Sequence, residues 1–98
     1  MNAITAAVDE VEAARQEYLE EFKADGEPAE QAVPGTYGCH ELLDRTAMLM
    51  TNVERYILEH PACVNNKEWF AMAYQAVDLL NELYQKIGAE HLEKTTDH

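Results

Sequence analysis

Cations are scarce in this sequence: seven Lys and Arg stand against nineteen Asp and Glu, a net charge of −12 over 98 residues. A field of that sign repels nucleic-acid phosphates and anionic lipid headgroups, so direct binding to DNA, RNA or a membrane surface is not expected. Glycine and proline are also few, four and three, and all but Gly88 and Pro61 fall between residues 24 and 38. No apolar run approaches the roughly 18 residues that cross a bilayer. No basic start leads into an apolar stretch, so no signal peptide is read and a cytoplasmic location is expected. In that compartment Cys39 and Cys63 read as reduced thiols. Also missing are a Gly-rich phosphate loop, a Gly-x-Ser-x-Gly elbow, a His-Glu-x-x-His pair and a Glu-x-x-His pair. The sequence therefore assigns no catalytic residue, no metal and no cofactor, and an enzyme is not expected.

What is present is helical periodicity. The length fits one domain, expected to be all-α: an N-terminal helix plus an antiparallel helical hairpin, closed as a three-helix bundle or as a helical oligomer. The first helix is expected over about 5–23, where Ile4, Val8, Val11, Tyr18 and Phe22 repeat at helical spacing and alanines raise propensity. Arg15 interrupts that stripe, which makes the helix a weak core element alone, or one that packs against a partner with an acid to offer. Residues 24–38 hold two prolines and three glycines and read as a connector, longer than the usual helix–helix turn.

The hairpin is expected over residues 39–92, its helices at about 39–60 and 66–92. Leu42, Leu43, Thr46, Leu49, Met50, Val53, Tyr56 and Ile57 form one broad apolar face. Pro61 ends that helix by disfavouring helical geometry at His60. Asn65, with Glu68 three residues on, resembles a capping box for the next helix. There Trp69, Phe70, Ala73, Ala76, Val77, Leu80, Leu83, Tyr84 and Ile87 recur every three or four residues. Gly88 either caps this helix or is passed through as far as Leu92, and the tail over 93–98 is expected to fray. The link over 60–65 is so short that the two helices must run antiparallel.

Candidate sites are thin. Cys39 and His40 open one hairpin helix, while His60 and Cys63 follow its far end. About twenty helical residues put those ends roughly 30 Å apart, too far for one metal or one disulfide. His40 with His91, and Cys39 at a helix N-terminus, stay open as metal or thiol chemistry, with Asp44 four residues after His40. Met48, Met72 and Leu79 are apolar residues away from the main faces and mark a candidate interface. The first helix packing there is an equal alternative. Arg45, Arg55 and Lys86, with the rings of Tyr37 and Trp69, are the inventory from which a phosphate-and-base site could be assembled across a symmetry axis.

Trp69-Phe70-Ala71-Met72-Ala73 opens the last helix of a short hairpin chain. In this it resembles phage-encoded cyclic-nucleotide sponge proteins of the anti-CBASS and anti-Thoeris type, which begin a hairpin helix with a similar Trp-apolar-x-apolar-Ala run. The resemblance covers at most residues 39–92. It implies hairpin chains assembled as homo-oligomers that sequester a nucleotide signal without cleaving it. Leu83–Gly88 stands where that family has a basic, apolar helix end followed by proline, so no binding residue is carried over. Three readings result. The first is an oligomeric, non-enzymatic binding protein, in its sharpest form a phage inhibitor of bacterial immunity. The second is an acidic mimic of nucleic acid occupying a basic site on a defence protein. The third is a small metal- or thiol-dependent enzyme around Cys39, His40, Asp44 and His91.

Overall fold

The structure is a computed structural model that describes residues 3–96, with side chains for residues 7–94. It is all-α: among the described residues there is no strand. The described residues form two compact units, one ending at Ala32 and the other beginning at Val33. The division falls inside the Pro/Gly-rich connector.

The first unit is α1, Ala3–Ala24, followed by a short 3-10 turn, Ala29–Gln31. The helix reaches two residues further toward the N-terminus than the apolar spacing alone marks. Its end is set by Gly26, whose φ of 75° no β-carbon favours. Gly26 N–H donates to Lys23 O and Glu27 N–H donates to Phe22 O, the paired bonds of a Schellman motif. The acid beside Arg15 comes from its own helix rather than from a packing partner. Its guanidinium forks onto Glu12 on the preceding turn, and Gln16 donates to the same carboxylate. Those bonds, Arg15 first, hold the Glu12 carboxyl down at about 2. Glu12 in turn raises Arg15.

The second unit is the expected hairpin. It runs α2 (Tyr37–Val53), a π-helical turn (Glu54–Leu58), a one-turn α3 (Pro61–Val64) and α4 (Lys67–Thr96). Helix α2 starts two residues before Cys39, and the connector is correspondingly shorter. Pro61 stops the helix as expected. His60 is extended, at ψ 132°, and Pro61 occupies the first position of α3, where its missing N–H costs nothing. His60 Nδ1 accepts from Ala62 N–H at 3.1 Å and caps that turn.

The cap of α4 is Asn66, not Asn65. Asn66 Oδ1 accepts from Trp69 N–H at 3.0 Å, and its carbonyl takes the first helical bond, from Phe70 N–H. Asn65 instead completes the turn that follows α3, donating to Pro61 O. Gly88 does not end α4, which continues through Thr96. There a β-carbon on Gly88 would sit 3.7 Å from Leu43, ordinary contact distance across the hairpin. The fraying expected of 93–98 is not seen as far as Thr96; Asp97 and His98 lie outside the described residues. No described helix is long and apolar enough to cross a membrane.

A long-range polar bond pins the open end of the hairpin. Gly35 N–H donates to His91 Nδ1 at 2.9 Å, across 56 residues of sequence. His91 is buried, and its Nδ1 is the acceptor in that bond. Gly35 has φ 93°, and a β-carbon there would lie 2.9 Å from Lys94 Cβ, so only glycine fits.

Candidate functional site

The two hairpin helices each carry two apolar rows, offset by one residue. On α4, Phe70, Ala73, Val77, Leu80, Tyr84, Ile87 and His91 are half-buried or buried and face α2. Their spacing alternates three and four, the pattern of a seam between two helices. One residue to the side runs a second row with the same alternation: Trp69, Met72, Ala76, Leu79 and Leu83. It is exposed throughout. Trp69 keeps 58% of its surface in contact with solvent, Met72 63% and Leu79 48%.

Helix α2 repeats the arrangement. Cys39, Leu43, Thr46, Met50 and Val53 are turned inward. Thr46 satisfies its buried hydroxyl by donating to Leu42 O at 2.8 Å. Beside them Leu42, Leu49 and Tyr56, seven residues apart, are exposed, with Ile57 next to Tyr56.

Both exposed rows lie on the same side of the hairpin. A cavity of about 510 Å³ at the turn end is walled by Tyr56 and Ile57 from one helix and by Trp69 and Met72 from the other, with His60 and Cys63 between. The opposite side carries acids. A hollow there is lined by Glu54, Glu59, Asp78 and Asn81 together with Met50, Leu58, Tyr74 and Val77. None of the described acidic residues of this unit stands in the exposed rows. The hairpin is thus a two-helix layer with one acidic side and one apolar side. The apolar side stays open because a layer two helices thick can bury only the seam between them. Among the described residues the only buried positions are Cys39, Thr46, Cys63 and His91.

The π-helical turn shapes the cavity. It spans Tyr56 and Ile57, and both side chains line the cavity. Nothing in the sequence pattern marks that turn.

The residues nominated as a candidate interface do not form one stripe. Met72 and Leu79 belong to the exposed row of α4. Met48 is exposed, but it lies about 160° around α2 from the inward-facing rows, on the back of the helix. Trp69, Ala76 and Leu83, counted with the main face in the sequence, stand in the exposed row.

The nominated ligand set is also dispersed within one chain. Trp69 lines the turn-end cavity. Tyr37 starts α2 at the open end, its ring 6.4 Å from that of His40. A helix and a π turn, roughly 30 Å of rise, separate these two ends. Lys86 stands seven residues after Leu79, extending that row toward the open end. Arg45 lies 3.5 Å from Glu41, and Arg55 sits within the π-helical turn. A site using all five therefore takes residues from more than one copy.

The metal and thiol candidates resolve into separate places. His40 and His91 do meet at the open end, ring centroids 5.9 Å apart, and His40 Nε2 is 3.4 Å from Asp44. One of the two nitrogens of His91 is already committed to Gly35. Among the described residues no group of three His, Cys, Asp or Glu is placed to hold a metal. Cys39 and Cys63 are both buried, unpaired thiols, one near each end of the hairpin.

No protein-family model matches this chain, and neither the curated proteins nor the solved structures include one that matches it.

Proposed function

We propose that this chain works by binding rather than by catalysis, and that the apolar side of its hairpin is the working surface. The observation that carries this is the pair of exposed rows, Leu42, Leu49 and Tyr56 beside Trp69, Met72, Leu79 and Leu83. A monomeric protein rarely exposes so continuous an apolar strip, and such strips mark interaction sites. The sharpest form of the reading is an oligomeric, cytoplasmic protein of phage origin that sequesters a nucleotide signal of bacterial immunity. The opening of α4 supports that form: Trp69 stands exposed at the mouth of an apolar cavity, where a planar base has a ring to stack on. The phosphates would be met by cations from more than one copy, Arg45 and Lys86 among them.

A second reading rests on a different region. Residues 1–31 carry nine acids against two bases, and the described acids of α1 are exposed or half-exposed. Such a helix suits a protein that imitates nucleic-acid phosphates on a basic defence protein.

Native mass spectrometry of the purified full chain, followed by thermal shift with cyclic mono- and dinucleotides, separates the two. The sponge form predicts a co-purified or added nucleotide bound per assembly and a rise in Tm. Tm unchanged by every nucleotide, with tight, salt-sensitive capture of a basic protein, would replace it with the acidic mimic. A turnover that Cys39→Ala abolishes would overturn both.

A further inference from the structure

We infer that the occupant of the apolar side is a second copy of this chain, laid hairpin against hairpin to form a four-helix bundle. The inference rests on the binding reading above and names the partner of that surface. Three observations carry it.

The first is register. The exposed row of α4 keeps the alternating three–four spacing of a helix–helix seam through five positions, from Trp69 to Leu83. A surface suited to a small molecule alone has no need of that periodicity over four turns. A second pair of helices meets it along its whole length.

The second is charge. A chain of net charge −12 repels its own copies unless they touch through a neutral patch. A two-fold interface also presents the same patch from both partners, so any acid in it faces its own image. The two exposed rows contain no acid, while the other side of the hairpin carries Glu54, Glu59 and Asp78. The charges are arranged as self-association requires. A basic partner would be drawn to the opposite side.

The third is area. The rows hold seven large side chains, each about half exposed. At roughly 200 Å² for a large side chain, they offer on the order of 700 Å², close to what one partner contributes to a standard interface. The turn-end cavity opens on this same side, since Tyr56, Trp69 and Met72 belong to both. A second copy lying on the rows therefore also covers the cavity, and the site is incomplete in one chain.

The test is light scattering on the full chain, with ANS fluorescence and far-UV circular dichroism on the same samples. Wild type should show a multiple of 11.1 kDa. Leu79→Glu combined with Leu49→Glu should return the mass to one chain with helicity retained. Asn81→Asp, which adds a negative charge on the opposite side of the hairpin, should leave the multiple intact. If the double variant loses its helicity, the milder Leu79→Gln should raise the dissociation constant at least tenfold. A multimer that none of these changes affects would overturn the inference by placing assembly elsewhere. A monomeric wild type that binds ANS, with binding lost in Leu79→Glu, would overturn the second copy and leave the surface to a foreign partner. A monomeric wild type that does not bind ANS would overturn the binding reading as well.

Discussion

The two units of this molecule are held by contacts of different reach. In the first, the described bonds that shape α1 are local: Arg15 and Gln16 to Glu12, Gly26 to Lys23, Glu27 to Phe22. In the second, two helices share a seam, and Gly35 reaches His91 across 56 residues. Local contacts make a helix but no core, and exposed ion pairs add little to stability. Long-range contacts make a cooperative unit whose loss is felt throughout. Both units expose apolar residues, Val8, Val11, Tyr18 and Phe22 in the first, but the paired rows belong to the hairpin. The first unit is the more charged, and a hollow there is bordered by Glu20, Lys23, Glu27 and Glu30 beside Leu19 and Phe22.

The sharpest break in that comparison is the apolar side of the hairpin. Acids at Leu49 and Leu79 should remove the assembly entirely in light scattering, with α1 and its ion pair unaffected. Next comes the open end. Gly35→Ala forces a β-carbon onto Lys94 in a left-handed backbone, and should destabilise the hairpin by about 1–3 kcal/mol in urea unfolding. The matching change in the first unit is Gly26→Ala. Its backbone is also left-handed, at φ 75°, but no atom stands within 4 Å of the new β-carbon. It should cost only about 1–2 kcal/mol, confined to fraying of the α1 C-terminus by hydrogen exchange, with the hairpin midpoint unmoved.

The smallest effect is the titration of Glu12. Its carboxyl is held at about 2 by Arg15 and Gln16. A depressed carboxyl favours the helix at pH values above its ordinary range near 4.5 and loses that contribution as pH falls toward 2. NMR should place the Glu12 midpoint well below those of its neighbours, and Arg15→Ala should bring it back toward 4.5. The hairpin signals should not respond.

How much of this was legible follows from the same division. The hairpin was readable because Pro61 and a short link sit between two long periodic stretches. The acid for Arg15 is expected on a packing partner, but it comes from Glu12 one turn back on the same helix. The second exposed row was legible only in part. Trp69, Ala76 and Leu83 are one helical step, about 100°, from Phe70, Val77 and Tyr84, and a wide apolar face in sequence does not say where burial stops. Met72 and Leu79 stood apart because their flanks are more polar. Met48 looked the same in sequence, yet it faces away from both rows. The π-helical turn carries no compositional mark, and the cavity at the turn depends on it. The step from Asn65 to Asn66 as cap turned on α3, a single turn too short for periodicity to reveal. The contact between Gly35 and His91 could not be read at all, because a turn glycine and a helical histidine show no pattern linking them.

The account's central claim is that Trp69, the single tryptophan, lies beneath a second copy although one chain leaves 58% of it exposed. Its emission and acrylamide quenching, followed from high concentration down through dilution, read that burial directly. Blue-shifted, poorly quenched emission that moves to the red and becomes quenchable as the protein is diluted is the predicted result. Red, freely quenched emission at every concentration would contradict it.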